Sequence, residues 1–219
     1  MSKTWHRGRR LLSALLLMSA MGAQASIVSF VGAFTQDDNV RLLPFTLSTV
    51  GQVVVRTFSY AGGVNGAGQV IAPGGFDPIV TLFNASTGAL IGESDDGLAQ
   101  FINPDPVTGG LHDSYLTLSL LSGNYLVALT EWDNFANGNL PDGFSEAGSG
   151  NFTAAFGCGV AFCDSDGVHV RSRNWALDIS SPALAAPEPG TLALLAIAFI
   201  VIALGRDRRV SNKIRTLSA

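Results

Sequence analysis

Positive charge is nearly missing from the middle of this chain. Between residues 26 and 186 the only cations are Arg41, Arg56, Arg171 and Arg173, against fifteen acids, a net of −11 that the whole-chain figure of −4 conceals. So acidic a region excludes nucleic acid as a partner, because phosphate binding needs Lys and Arg. It suits cations, or solubility outside a cell. Histidine is equally scarce: His6, His112 and His169 are the three, and neither of the last two comes with a Ser or Cys nucleophile in an elbow such as G-x-S-x-G. They read as surface loop residues, and no catalytic residue is assigned. Asp95 and Asp96 are adjacent and diverge along a turn, which does not suit the opposed carboxylates of glycoside hydrolysis. Amphipathic helices of useful length are absent from this region, and with them the crossovers a parallel sheet requires. Cysteine is limited to Cys158 and Cys163, both in the acidic region. In an oxidising compartment a local disulfide pinning residues 157–167 is the expectation; half of a metal site is the alternative, without further Cys or His at ligand spacing.

Long apolar runs occur only at the two ends. Lys3, Arg7, Arg9 and Arg10 precede an apolar stretch from Leu11 to Gly22, and Ala23-Gln24-Ala25 offers small residues at both positions a signal peptidase reads. That order predicts a secretory signal cut after Ala25. At the other end, Pro187-Glu188-Pro189 and Gly190-Thr191 lead into an unbroken apolar run from Leu192 to Leu204, then Gly205 and the cluster Arg206, Arg208 and Arg209. A helix apolar on every side has no solvated face, so it belongs in a membrane. Residues 190–205 would rise about 24 Å as a helix, a little less than the ~30 Å hydrocarbon layer. The arginines favour leaving that end in the cytoplasm, which puts the acidic region outside. Prolines on both sides of Glu188 stop a helix from running upstream and leave an extended boundary that an enzyme can grip.

These residues resemble the PEP-CTERM sorting tail of Gram-negative bacteria: a Pro-Glu-Pro motif, a short transmembrane run and an arginine cluster. The extension from Val210 to Ala219 is longer than is usual after the arginines. The resemblance implies an exosortase, a membrane transpeptidase-like protein, as partner. It implies export through the inner membrane, a single-pass C-terminal anchor, then cell-surface or extracellular location after processing. It also implies production alongside exopolysaccharide. The organisation is thus a signal peptide over 1–25, an exported domain over 26–181, a linker over 182–189, a transmembrane helix over 190–205 and a basic tail over 206–219.

Within the exported domain, short runs of period-two alternation recur between Gly, Pro, Asn and Asp clusters. Strands are predicted at residues 26–34, 42–47, 50–60, 78–83, 90–93, 115–121, 125–132, 152–156 and 175–179. Residues 115–121 and 125–132, joined by Ser122-Gly123-Asn124, are predicted to form a hairpin. Residues 61–75, 103–110 and 134–151 are predicted loops. Many short strands without intervening helices indicate an all-β fold, an antiparallel β-sandwich or jelly roll.

Gly74-Gly75-Phe76-Asp77-Pro78, Asp95-Asp96-Gly97, Asp113-Ser114-Tyr115, Gly123-Asn124-Tyr125 and Glu131-Trp132-Asp133-Asn134 follow one another along residues 34–179. The ordered set resembles PEP-CTERM-associated exported proteins whose domain is similar to the bacterial pre-peptidase C-terminal β-sandwich. Asp77, Asp95, Asp96, Asp113 and Asp133 all fall at predicted strand ends, where loops of one pole can converge. Calcium takes six to eight oxygens at about 2.3–2.6 Å and favours such carboxylates, which would otherwise repel one another. A structural calcium site is one reading of the five. Turn capping by Asp77 and Asp96, with Asp113 and Asp133 solvated, is the other. Trp132, Phe135 and Phe144 read as core or loop anchors, with an aromatic platform for a sugar ring as the alternative. The function expected is a non-catalytic exported protein whose β-sandwich interacts with polymer or partner protein. A calcium-dependent polysaccharide-binding adhesion module and a polysaccharide hydrolase or lyase are the alternatives.

Overall fold

The computed structural model describes residues 25–185. The signal up to Gln24 and the tail from Ala186 onward lie outside the described residues, and among the described residues no helix is long and apolar enough to cross a membrane.

Among the described residues ten strands run antiparallel: β1 (Ser26–Ala33), β2 (Arg41–Leu47), β3 (Gly51–Thr57), β4 (Gly63–Val64), β5 (Val70–Ile71), β6 (Pro78–Asn84), β7 (Leu90–Ser94), β8 (Tyr115–Leu120), β9 (Gly123–Glu131) and β10 (Asn174–Ser181). They form two four-stranded sheets, ordered β1-β10-β3-β8 and β2-β9-β6-β7, and a small β4-β5 ribbon. Alternation builds the core. Leu43, Phe45 and Leu47 of β2 are buried while the alternating Leu42, Pro44 and Thr46 are exposed. Pro44 lacks a donor and sits on an edge strand, where none is needed on the outer side. Val53 and Val55 of β3 and Leu177 and Ile179 of β10 meet Val80 and Leu82 of β6 and Val127 and Leu129 of β9 in one apolar cluster shared by both sheets. Burial of each such side chain is worth about 1.5–3 kcal/mol.

β6 is buried along both faces, and its outward Phe83 needs a second cover. The loop 134–151 supplies it: Phe144 packs edge-on against Phe83, with ring centroids 6.3 Å apart, in a smaller cluster with Ala128.

The predicted hairpin at 115–132 does not form. β8 pairs with β3, whereas β9 pairs with β2 on one side and β6 on the other, so β9 has no free edge to offer β8. The chain instead crosses between the sheets at Leu121-Ser122, and the Tyr125 hydroxyl donates to the Leu121 carbonyl at 2.8 Å to hold the corner. Residues 152–156 are a 3-10 helix rather than a strand. The Asp37 carboxylate draws them into it by accepting the Thr153 N–H at 3.1 Å and its hydroxyl. The strand predicted at 50–60 ends at Thr57. Beyond it the Asp113 carboxylate takes the N–H groups of Tyr60 and Ala61 at 3.1 and 2.9 Å. The predicted loop 61–75 contains the β4-β5 ribbon. The linker predicted from 182 begins on the sandwich, since Ala183 and Leu184 are buried in the main core and Leu184 bridges to Leu47.

Candidate functional site

At one pole β3, β7 and β9 end while β6 and β8 begin. Antiparallel register brings Pro78 opposite Glu131, Val80 opposite Ser94, and Arg56 opposite Tyr115. Ser114 ties the two sheets together there. Its hydroxyl lies 3.0 Å from the Ser94 carbonyl and 2.8 Å from that of Asp95, and also reaches Pro78, while its N–H donates to Thr57 Oγ1 at 2.8 Å. Gly75 admits no side chain, because a Cβ would stand 2.4 Å from the Ser59 carbonyl and 2.5 Å from that of Asn174. This close approach sets the course of Phe76 and Asp77 into β6.

A cleft of about 180 Å³ opens at this pole, lined by Tyr60, Asp77, Thr108, His112, Asp164 and Asp166 among others. His112 Nδ1 stands 3.5 Å from Asp77 and 3.3 Å from Asp96, and the ring meets Tyr60 edge-on at 4.8 Å. Asp77, Asp96 and His112 each offer a ligand atom within 4.8 Å of the others, as do Asp164, Asp166 and His169. Burial, then the charges of Asp95 and Asp96, raises Asp77 well above the usual carboxylate range. Burial first, and then the charge of Asp96, pushes Asp95 up to about 6.

Across the cleft Arg171 gathers its own set. Its Nε donates to Asp164 at 2.7 Å, its Nη1 faces Asp105 at 3.4 Å, and its guanidinium lies 3.8 Å over the Tyr60 ring. The Tyr60 hydroxyl donates to Asp164 at 2.9 Å and accepts from Arg171 Nη2. Burial, and next to it Asp164, raises the Tyr60 phenol beyond its ordinary range, so it stays a neutral donor.

Of the five aspartates singled out from sequence, Asp77 and Asp96 share His112, and Asp95 adjoins them. Asp113 belongs to the frame: it is 1% exposed and holds Thr57 Oγ1 at 2.8 Å as well as the two backbone donors beyond β3. Asp133 is exposed with φ +80°, and its contribution is a carbonyl that accepts from Ser145 at 2.6 Å. Cys158 and Cys163 are bridged. Trp132 meets Phe156 edge-on at 5.5 Å and Phe135 is partly buried. Ala25 is exposed, whereas Ala23, the Pro-Glu-Pro residues 187–189 and Arg206, Arg208 and Arg209 lie outside the described residues.

Sequence reasoning missed four residues here: Glu131, Asp37, Asp164 and Arg171. For Glu131 a signal was present. Tyr125, Val127 and Leu129 occupy the core-facing positions of β9, and Glu131 is the next of the same parity, buried to 2%. Burial, then the charges of Asp77, Asp37 and Asp164, raises it well above its usual range.

Residues 185–209 match the family described as the PEP-CTERM protein-sorting motif. No curated protein matches the chain. Among solved structures, the chain is similar to Aeromonas hydrophila PliG, described as a periplasmic lysozyme inhibitor of g-type lysozyme, at 12% identity and a TM-score of 0.33, over 75% of this chain and 91% of that one.

Proposed function

We propose that this chain is a non-catalytic protein of the cell surface or extracellular matrix, exported across the inner membrane and sorted by an exosortase-type enzyme. The PEP-CTERM motif at residues 185–209 is the observation that carries this reading. The apolar run from Leu192 to Leu204 holds the protein at the membrane until the enzyme acts at Pro187-Glu188-Pro189. The two-sheet domain is then presented or released as an interaction module toward exopolysaccharide or another surface protein. Its net charge of −11 between residues 26 and 186 supports a solvated, extracellular life for it.

Mass spectrometry of the mature protein from its native host tests this. The expected polypeptide begins at Ser26, ends near the Pro-Glu-Pro motif and is recovered from the cell surface or the medium. Recovery of the intact 219-residue chain from the cytosol would overturn the reading.

A further inference from the structure

The outer face of the β1-β10-β3-β8 sheet carries a polar row away from the pole. Antiparallel register sets Asp178 of β10 opposite Arg56 of β3, and Arg56 opposite Tyr115 of β8. Opposed residues on neighbouring strands share a face, so the three stand side by side at the strand spacing of about 4.8 Å. The core takes the other parity, with Val53, Val55, Leu177 and Ile179. A groove of about 390 Å³ runs over the row, within the size range of small-molecule sites. Ile27, Val54 and Val64 give it apolar walls.

This row is held in place, yet part of it is unspent. The β4-β5 ribbon is seated on the sheet here: Gly66 has no room for a Cβ against Ile27, and its N–H donates to Asp178 Oδ2 at 2.7 Å. Asp178 is 9% exposed and is oriented through that oxygen, while its Oδ1 has no hydrogen-bond partner among the described residues. Arg56 Nε has none either, and the guanidinium is steadied 4.5 Å over the Phe58 ring. Tyr115 is braced by a near-parallel stack on Phe101, with centroids 4.4 Å apart. A leftover acceptor and a leftover donor thus stand next to each other on the floor of one groove, and burial without partners is costly for both.

That pair selects among ligand classes. An apolar ligand leaves both groups unpaired. An anion meets Asp178 and a domain of net charge −11, and a simple cation meets Arg56. An extended peptide adds to the edge of a sheet, whereas β10 and β3 are interior strands with both edges taken. A hydroxyl both accepts and donates, so one sugar hydroxyl, or two neighbouring ones, can accept from Arg56 and donate to Asp178. The C–H face of the sugar ring then packs on Tyr115, as apolar ring faces do on aromatics. We propose that Asp178, Arg56 and Tyr115 form a binding site for a neutral saccharide on the outer face of this sheet. The inference rests on the interaction-module reading above and names its ligand, with Trp132, Phe135 and Phe144 playing no part.

Affinity electrophoresis tests this, with the full chain in a nonionic detergent that has no sugar headgroup, run through gels containing dextran, laminarin or galactomannan. Polygalacturonate serves as the anionic control. Retardation by at least one neutral polymer is expected, exceeding any by polygalacturonate. Asp178→Asn and Arg56→Met each remove one side of the pair, and each should weaken retention by roughly tenfold or more. Asp133→Asn should migrate as the unaltered chain does. If Asp178→Asn does not fold, Arg56→Met carries the test. No retardation by any neutral polymer, stronger retention by polygalacturonate, or equal retention of the variants and the unaltered chain would overturn the proposal. Mass spectrometry of the mature ends decides the sorting reading separately, so a correctly trimmed protein that binds no saccharide overturns this inference alone.

Discussion

Glu131, together with Asp77 and Asp95, ties the stability of the domain to pH. A carboxyl raised in the fold holds its proton to higher pH than it does in the unfolded chain. Its stabilising contribution is therefore complete below the unfolded value and is lost as pH rises through the folded one. Asp95, pushed up to about 6 with Asp96, His112 and Glu93 around it, places that loss between about 4 and about 6. Asp77 and Glu131, raised well above their usual ranges, extend it upward. In chelator the melting temperature is therefore expected to fall steadily from pH 4 to pH 7. Glu131→Gln removes one source of the fall and should melt higher than the unaltered chain at pH 7, by roughly 2–4 °C for each 1 kcal/mol of relief in a chain of this size. Thermal scans across pH in chelator check both, and a flat profile would rule out the charge crowding. Part of this was legible from sequence. Acids at strand ends marked Asp77, Asp95 and Asp96, and parity along β9 could have marked Glu131. Asp37 and Asp164 were not legible, because their neighbours Thr153, Tyr60 and Arg171 are more than a hundred residues away or sit in an irregular loop.

At the scale of elements, period-two alternation located most strands because each buries one face on a shared core. What alternation does not carry is the choice of partner. Ser122-Gly123-Asn124 suits a hairpin, yet β9 is saturated on both edges by β2 and β6, so β8 crosses to the other sheet. The alternating stretch 152–156 likewise became a 3-10 helix because Asp37 captured its first turn. The doubly buried β6 leads to a test of the outer layer. Phe144 is the side chain by which the loop 134–151 covers Phe83. Phe144→Ala leaves a cavity under that loop and should destabilise the domain by about 3–5 kcal/mol, the range for an aromatic deleted from a core. Chemical denaturation measures it. A loss below about 1 kcal/mol, the level of an ordinary surface change, would mean that the loop is not part of the folded core.

For the whole molecule, charge and apolarity are segregated along the chain, and delivery follows from that segregation. Nine of the thirteen Lys and Arg lie before residue 26 or after residue 205, beside the two apolar runs, while fifteen of the seventeen acids lie between. Cationic flanks favour the cytoplasmic side, which on the proposed reading leaves a strongly acidic, lysine-free domain outside. Among the described residues the core closes with Ala183 and Leu184, ahead of Pro187-Glu188-Pro189, where the proposed sorting step acts. Replacing Pro187, Glu188 and Pro189 by alanine should therefore leave melting of the exported domain unchanged and abolish release. The altered protein should remain in the inner-membrane fraction with Arg206, Arg208 and Arg209 still attached, detectable by an antibody or mass spectrum of the C-terminal peptide. The unaltered protein should lose that peptide and appear at the surface or in the medium. Equal release of both would show that the Pro-Glu-Pro boundary is not what the sorting enzyme reads. Equal retention of both would show that the run from Leu192 to Leu204 is a permanent anchor. A shift of the domain's melting point would show instead that the motif belongs to the fold.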